Sequence, residues 1–320
     1  MRSVVLSAYG DAGRLRLEDR PLPEVTDDRV LVSVKTASVN SWDWDRMTGR
    51  PFWSRLVGGG LRAPKNPRFG CDLAGVVDAV GPAADEFSVG DEVIGDLSWS
   101  GFGAFAEYAA PPQSWLAAKS SAISFEEAAA VPQAGLLALQ AIRLGEPKPG
   151  ESILINGAGG GSGTFAIQLA KSAGATVTGV DHAVKEATVR SLGAEFIDFE
   201  KSDYTSLGLR YDLVIDMVAC KSPFTYRRVL ERGGRLVVVG GTLRSILGVV
   251  LLGGPVSAEG QTMRLLRHKP NRDDLEEMNR LIEAGTVSPI IDKVYPLEET
   301  AEALRHVGEL RAKGKVVIRI

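Results

Sequence analysis

The chain has 320 residues, more than one ordinary hydrophobic core accommodates, so two domains are expected. Its composition, 44% hydrophobic and 24% charged, is that of a folded globular protein and excludes a disordered chain. The formal net charge of −3 provides no electrostatic footprint for nucleic acid, so no nucleic-acid partner is expected.

Short strands separated by turns fill the first third of the chain. Residues 30–34 and 75–81 are apolar runs bounded by turn residues, and residues 89–95 form a turn that leads into a strand. Gly, Pro and Asp recur at intervals of roughly eight to twelve residues, a spacing typical of a small barrel or sandwich. A β-rich first domain is therefore predicted.

The pattern changes at Ser124, which forms a predicted capping box with Glu127 and begins a helix through Ala130. From Ser152 onward, apolar strand runs alternate with stretches of helical spacing, which predicts a parallel, doubly wound sheet. The predicted strands are residues 152–156, 176–180, 212–216, 235–239 and 315–320, and the predicted helices are residues 164–173, 185–192 (ended by Gly193), 273–284 (ended by Gly285) and 298–307.

The fold class is therefore α/β, with a β-rich substrate domain interrupted by a dinucleotide-binding domain. The predicted boundaries are residues 1–124 and 266–320 for the substrate domain and residues 125–265 for the dinucleotide-binding domain.

A glycine-rich loop at residues 156–163 lies directly after a predicted strand and before a predicted helix. Ala158, Gly160 and Gly163 fit the dinucleotide-binding fingerprint, with Ala in its first place. Gly160 should let the backbone approach a pyrophosphate, and Gly163 should let the helix pack closely on the sheet. The alternative is a flexible surface turn, but the strand, the helix and the spacing together favour cofactor binding.

Asp181 ends the next predicted strand, 18 positions after Gly163. An acidic residue at that place binds ribose hydroxyls and favours NAD. His182 and Lys185 lie nearby and are alternatives that would meet the 2′-phosphate of NADP, although Lys185 also fits an ordinary exposed helix position. The expected cofactor is NADP or NAD, with the subtype open.

Cysteine usage and hydropathy indicate the compartment. Cys71 and Cys220 are the only cysteines, too few for a disulfide framework, and the N-terminus is strand-like rather than a signal peptide. The most apolar window, residues 246–252, is far shorter than the roughly 20 residues that span a bilayer. A cytoplasmic protein without a membrane partner is expected, and the apolar window predicts either a buried helix or a surface for a partner subunit.

Further stretches keep their order and spacing along the chain. With the glycine loop, they resemble the quinone oxidoreductase (zeta-crystallin-like) branch of the medium-chain dehydrogenase/reductase superfamily, nearly end to end. The resemblance implies a GroES-like domain, a Rossmann domain and an active site in the cleft between them. The stretches are VNSWDW at residues 39–44, GCDLAGVVDAVG at 70–81, VGDEV at 89–93, AAAVP at 128–132 and GKVVI at 314–318.

The resemblance also implies roles for individual residues. Asn40 and Asp43 would face the nicotinamide ribose and the substrate as candidate catalytic residues, although the residues alone favour a capped turn after the preceding strand. Val218, Gly240 and Gly241 would lie near the nicotinamide, and a homodimer is implied. The residues implied to hold the pyrophosphate are Asn156, Gly157, Gly159, Gly160, Gly161, Ser162 and Gly163.

Zinc is not expected. Zinc-dependent relatives carry a Cys where Asn40 stands and a His-Glu pair where Cys71 and Asp72 stand, and they add a four-cysteine lobe. Tetrahedral zinc needs three or four ligands, and without a Lewis acid an unactivated alcohol is a poor hydride donor. Quinones, enones and enoyl thioesters are already electron-poor and need mainly positioning against the nicotinamide.

An aromatic cluster follows the Asn40 motif. Trp42, Trp44, Phe52 and Trp53 would form a flat apolar wall for an aromatic or long acyl substrate, or would simply pack beneath a loop.

The sequence therefore predicts a zinc-independent, NAD(P)H-dependent oxidoreductase that passes hydride to an electron-poor small molecule such as a quinone or enone. Three alternatives remain. They are a pathway-specific enoyl reductase acting on an acyl thioester, a nicotinamide-binding protein without a catalytic role, and an alcohol dehydrogenase that works without metal.

Overall fold

The computed structural model describes residues 1–52, 54–57 and 60–320. In chain order the strands are β1 (Arg2–Leu6), β2 (Leu15–Asp19), β3 (Val30–Val39), β4 (Asp72–Val80), β5 (Glu92–Asp96), β6 (Tyr108–Ala109), β7 (Leu116–Ala118), β8 (Ser152–Asn156), β9 (Thr176–Asp181), β10 (Glu195–Asp198), β11 (Tyr211–Asp216), β12 (Leu230–Val238), β13 (Thr262–Leu265), β14 (Ile291–Pro296) and β15 (Lys315–Arg319). The helices are α1 (Ser41–Thr48), α2 (Ser54–Val57), α3 (Phe125–Ala129), α4 (Pro132–Gly145), α5 (Gly161–Ser172), α6 (Glu186–Ser191), α7 (Pro223–Val229), α8 (Leu243–Val256), α9 (Arg272–Glu283) and α10 (Thr300–Gly308).

The first of two compact units is β-rich and comprises residues 1–134, 270–284 and 289–320. Its main sheet has the strand order β14-β15-β3-β4-β5-β7, with β6 paired to β3, and only the β14–β15 pairing is parallel. The long strand β3 alternates only in its middle, where Ser33 is half-buried and Lys35 is exposed, and its last residues 36–39 are all buried, so both faces of the strand are covered there. β15 pairs with β3, so the last strand of the chain lies inside this sheet.

The second unit comprises residues 135–269 and 285–288 and is built on six parallel strands in the order β10-β9-β8-β11-β12-β13. This is the order of a doubly wound dinucleotide-binding sheet, so the predicted fold class is confirmed. Starting from β8, the chain adds β9 and β10 on one side of the sheet and then β11, β12 and β13 on the other. Right-handed crossovers therefore place α5 and α6 on one face of the sheet and α7 and α8 on the other. The strand order reverses at the carboxyl ends of β8 and β11.

Most predicted elements are present, with small differences at helix starts. The capping box is confirmed: Ser124 accepts from the Glu127 N–H, and the Glu127 carboxylate accepts from the Ser124 N–H. The helix predicted from residue 164 begins at Gly161, because the helix turn already starts inside the glycine loop. Lys185 lies in a 3₁₀ turn, and α6 follows it at Glu186.

The apolar window at residues 246–252 lies in α8, and the buried-helix interpretation is wrong. α8 buries one stripe, which includes Ser245, Val249 and Gly253, while Leu247 and Leu251 are 47% and 68% exposed. The apolar residues surround the helix instead of following one stripe, so packing on the sheet covers only part of them. In the described part of the chain, no helix is both long and apolar enough to cross a membrane.

Candidate active site

The glycine loop connects β8 to α5 in the second unit. Gly157 has a φ of +84°, a left-handed conformation that favours glycine, and its N–H donates to the carbonyl of Val180. A Cβ on Gly163 would lie 2.1 Å from the carbonyl oxygen of Gly157, so only glycine lets α5 start this close to the loop. The close approach at Gly163 is thus to the backbone of the preceding loop, at Gly157 and Ala158, and the predicted packing of the helix on the sheet stays a prediction.

Gly160 is different, because the protein itself does not require a glycine there. Its φ is −86°, and a Cβ would find its nearest neighbour, the Gly157 carbonyl, at 3.5 Å. Gly160 is the N-cap of α5, and Gly161, Ser162 and Gly163 follow it in the first turn. The N–H groups of a first helical turn have no acceptor within the helix and attract phosphate. The empty space at Gly160 therefore fits the close approach of a dinucleotide pyrophosphate.

Asp181 and Lys185 form an ion pair at the end of β9. Lys185 Nζ lies 3.1 Å from Asp181 Oδ1, and both side chains are almost completely buried. The Asp181 carboxylate also accepts the N–H groups of Gly159 and His182, each at 2.9 Å. Both charges predicted to face the adenosine ribose thus partly neutralise each other, and the carboxylate ties the strand end to the glycine loop. Lys185 is not an ordinary exposed helix residue.

Asp216, at the end of β11, organises the place where the strand order reverses. Its Oδ1 accepts from Asn156 Nδ2 at 2.9 Å and from the N–H of Val218 at 3.0 Å, and its Oδ2 accepts from Tyr226 Oη at 2.8 Å. Burial raises the pKa of Asp216, and these donors oppose that rise. Asp216 therefore brings together Asn156 and Val218, which were predicted separately.

Gly240 and Gly241 follow β12 beside the same strand ends. The Ala219 N–H donates to the carbonyl of Gly240 at 2.9 Å. Gly241 has a φ of +143°, and a Cβ there would lie 2.1 Å from the carbonyl oxygen of Ala219. The two glycines therefore let the loops after β11 and β12 run in contact. Val218 is 48% exposed on this surface.

In the first unit, Asn40 belongs to a buried charge network. Its Oδ1 accepts from Lys315 Nζ at 2.5 Å, and its Nδ2 donates to Asp72 Oδ2 at 2.9 Å. Asp72 Oδ2 also accepts from Ser38 Oγ at 3.0 Å and lies 3.5 Å from Lys315 Nζ. Burial raises the pKa of Asp72 to about 6, although the Lys315 ammonium and the donors from Asn40 and Ser38 oppose the rise.

Asp43 lies beside this network and caps α1. Its Oδ2 accepts from the Asn40 N–H at 2.9 Å, so the capped turn expected from the residues alone is present. Its Oδ1 accepts from Cys71 Sγ at 3.2 Å. Asp43 is completely buried, and this burial raises its pKa to about 7. A carboxyl that changes protonation near neutral pH therefore lies next to Asn40.

The side chains around Asn40 do not suit a zinc ion. Burial and the nearby Asp43 raise the pKa of the Cys71 thiol well above its usual value, whereas zinc binds the thiolate. The Lys315 ammonium already contacts Asn40 and lies against Asp72, and it would repel a second cation. Across residues 1–52, 54–57 and 60–320, no group of three or more His, Cys, Asp and Glu side chains is positioned to bind a metal ion.

The predicted aromatic wall is only partly described. Trp44 is half-buried on the core of the first unit, and its ring fills the space beside Gly308, where a Cβ would lie 2.2 Å from the indole. Phe52 is 61% exposed, with the Arg55 guanidinium 5.3 Å from its ring centroid. Trp42 is half-buried, and Trp53 lies outside the described residues. The role of these four residues in substrate binding stays a prediction.

Sequence reasoning did not select Lys315, Asp72 or Asp216 as site residues. Lys315 begins the terminal strand, where Val316, Val317 and Ile318 follow it, and no local polar motif marks its side chain. Asp72 and Asp216 were visible as acidic residues at the ends of apolar runs, and that position was the available signal for a buried acceptor.

Comparisons with known proteins identify the family of the chain. Residues 26–121 match the family described as alcohol dehydrogenase GroES-like domain, and residues 192–318 match the family described as zinc-binding dehydrogenase. The NADPH-dependent alkenal/one oxidoreductase, chloroplastic, of Arabidopsis thaliana is 33% identical over 333 residues, which cover 99% of this chain and 79% of that protein. An NAD-dependent alcohol dehydrogenase of Sulfolobus acidocaldarius is 31% identical, with all of both chains covered. The structure of the quinone oxidoreductase from Coxiella burnetii has a TM-score of 0.90 and 26% identity, covering 100% of this chain and 99% of that one.

Proposed function

Because the chain belongs to the quinone oxidoreductase branch of the medium-chain dehydrogenase/reductase superfamily, with a GroES-like and a Rossmann domain, we propose that it is an NAD(P)H-dependent reductase of enones and quinones. The observation that carries the proposal is the relation over 99% of the chain to an NADPH-dependent alkenal/one oxidoreductase. When bound, the reduced nicotinamide supplies the hydride.

The residues of the second unit suit this cofactor. The free N–H groups at the start of α5 and the space at Gly160 favour the pyrophosphate, and Asn156, Val218 and Gly240 surround the strand ends where a nicotinamide is held in this fold. We propose that the Asp181–Lys185 pair sets the choice between NAD and NADP. The carboxylate favours the ribose diol, and the ammonium favours a 2′-phosphate.

We propose that Asn40 positions the acceptor through its amide. Lys315 donates to Oδ1 of Asn40, and this contact draws electron density away from Nδ2. One Nδ2 hydrogen is directed at Asp72, which leaves the second to donate to the carbonyl oxygen of an enone or quinone. The buried ammonium thus supplies, through one amide, part of the polarisation that zinc supplies in metal-dependent relatives.

The zinc-independent character of the enzyme is part of this proposal, supported by the protonated Cys71 and the ammonium of Lys315. The homodimer and the cytoplasmic location inferred from the sequence stay predictions.

The test is oxidation of NADPH and of NADH by purified, chelator-treated protein, measured with a panel of enones and quinones. We expect turnover with both acceptor classes and none with simple alcohols. Turnover that disappears with chelator and returns with zinc would contradict the zinc-independent mechanism. Tight cofactor binding without turnover of these acceptors, but with turnover of an enoyl thioester, would assign the chain to the enoyl reductase alternative.

A further inference from the structure

The second unit has an exposed face that is both apolar and basic, and that the cofactor site does not use. We call it the α7–α8 face. Both helices lie on the same side of the parallel sheet, because the chain steps from β11 to β12 to β13 in one direction. They also lie side by side: Ser245 Oγ donates to the carbonyl of Lys221 at 2.6 Å, and Gly248 lies against Pro223.

Large apolar side chains project outward from this face. Leu247, Val250 and Leu251 on α8 are 47%, 56% and 68% exposed, and Phe224 on α7 is 58% exposed. Leu247 and Leu251 are one helical turn apart, and Val250 lies between them on the same side of the helix. Exposed apolar residues that cluster in this way indicate an interaction surface for a protein or a membrane.

Charge in this part of the chain is strongly one-sided. Residues 221–269 contain nine lysines and arginines against two glutamates and no aspartate, a formal charge of +7 in a chain whose net charge is −3. The rest of the chain therefore carries −10. Asp203 and Glu151, from outside this segment, pair with Lys221 and Arg235, so part of that charge is compensated. Concentrated basic charge of this kind attracts an anionic partner over distances beyond direct contact.

Three arginines concentrate that charge next to the apolar helix. Arg210, Arg227 and Arg228 line an open depression of about 520 Å³ together with Phe224. The one carboxylate that also lines it, Glu259, lies 3.8 Å from Arg232. Within the described residues, none of the three lining arginines forms an ion pair, so their donors stay available for phosphate or carboxylate oxygens.

We propose that the α7–α8 face binds the surface of an anionic lipid bilayer, with the apolar residues of α8 in the acyl boundary and the arginines on the headgroup phosphates. An amphipathic surface of this composition is what holds a peripheral protein at an interface. The earlier expectation of no membrane partner rested on the absence of a spanning segment and did not consider attachment from one side.

A second copy of the chain suits this face less well. A symmetric interface places the same patch on both sides, and here it would bring the arginines of one copy, Arg210, Arg227 and Arg228, toward those of the other. A bilayer containing phosphatidylserine provides the missing negative charge and the apolar phase together.

The experiment is flotation of the full chain with vesicles of phosphatidylcholine alone, and with vesicles that also contain phosphatidylserine, at low and high salt. We expect binding only to the anionic vesicles, and weaker binding at high salt. Arg227→Gln combined with Arg228→Gln, and Leu247→Gln combined with Leu251→Gln, should each lower the affinity roughly tenfold.

Matched controls separate this face from general effects of charge and hydrophobicity. Arg14→Gln with Arg16→Gln removes the same charge from exposed positions of the first unit, and Leu22→Gln with Val89→Gln removes comparably exposed apolar side chains. The controls should bind vesicles as the unchanged protein does. Equal losses in controls and test variants, or equal binding to both vesicle types, would overturn the proposal.

Two further measurements complete the test. If Leu247→Gln with Leu251→Gln converts a dimer to a monomer in solution and leaves vesicle binding unchanged, the face is an interface between copies and the proposal is wrong. Turnover of a water-soluble quinone without vesicles should be the same in all variants. A chain that binds vesicles but reduces no acceptor would keep this inference and contradict the proposed function.

Discussion

Lys315 donates from its Nζ to Oδ1 of Asn40 across 2.5 Å, and the two residues are 275 positions apart in the chain. β15 brings Lys315 beside β3, and α1 begins directly after β3 with Asn40 at its N-cap. The contact therefore depends on strand pairing and not on local sequence. It places a buried positive charge against the amide that we propose to bind the acceptor.

Lys315→Met should strongly destabilise the protein, because it leaves the Asp72 carboxylate buried without its ion-pair partner. Removing one member of a buried pair costs about 3–5 kcal/mol of unfolding free energy. Adding Asp72→Asn should recover part of that loss, since no uncompensated charge remains. Chemical denaturation measures the unfolding free energy of the single and the double variant, and Lys313→Met at an exposed position is the control. Equal stability of the Lys315 and Lys313 variants would show that the pair contributes little.

Asp43→Asn should change how stability depends on pH. Burial raises the pKa of Asp43 from 3.8 to about 7, so the folded protein holds this proton more tightly than the unfolded chain does. Rising pH therefore removes stability between about pH 4 and pH 7. The variant lacks the titrating group, so its stability deficit relative to the unchanged protein should be largest at or below about pH 4, shrink between about pH 4 and pH 7, and level off above that range. The exposed Asp78→Asn is the control, and a deficit independent of pH would contradict the raised pKa.

Variants of the ion pair at the end of β9 should shift cofactor preference in opposite directions. Asp181→Ser leaves the Lys185 ammonium unpaired. The ratio of the dissociation constant for NADH to that for NADPH should therefore rise by about tenfold, in favour of NADPH. Lys185→Ala leaves the Asp181 carboxylate without its cation and should lower the same ratio, in favour of NADH. Titration of cofactor fluorescence gives the ratios, with the exposed Lys171→Ala as control. A shift in the same direction for both variants would show that the pair serves only the fold.

Substituting two glycines of the same loop should affect different properties: Gly163→Ala should lower stability, and Gly160→Ala should weaken cofactor binding. Gly163→Ala forces a Cβ to within 2.1 Å of the Gly157 carbonyl and should cost roughly 1–3 kcal/mol of unfolding free energy. Gly160→Ala meets nothing closer than 3.5 Å and loses only the preference for glycine over alanine at the N-cap, so it should lower stability by less than about 1 kcal/mol.

Cofactor affinity provides the second readout for these glycines. Gly160→Ala should still raise the dissociation constant for the reduced cofactor, because the added methyl occupies the space proposed for the pyrophosphate. Thermal unfolding with and without cofactor separates the two effects. Unchanged affinity in a stable Gly160→Ala variant would remove that glycine from the cofactor site.

Local patterns predicted the second unit well, because its elements are defined by short-range rules. The strand predicted at residues 152–156 has the same bounds in the structure, and Gly193 ends its helix with a φ of +78°. The glycine loop was recognisable because a strand, a tight turn and a helix are adjacent in the sequence.

Long-range contacts were not predictable in this way. The role of Lys315 requires knowing that β15 pairs with β3, and the role of Asp216 requires knowing that β8 and β11 are neighbours. Hydropathy left α8 open between a buried helix and a partner surface, because a continuous apolar run says how hydrophobic a helix is and not how much of it the fold covers. Solvent exposure is a property of the packed structure.

The position of β15 inside the first sheet has a consequence for biosynthesis. A ribosome releases β3 and α1 early, but β15, which flanks β3 and delivers Lys315, emerges after every residue of the second unit. The first half of β3 can already pair with β6, but residues 36–39 of β3 wait for β15, and Asp72 waits without its counter-charge, while the parallel sheet is already complete in sequence. Chaperone capture during translation should thus concentrate on the exposed flank of β3 until the last strand arrives.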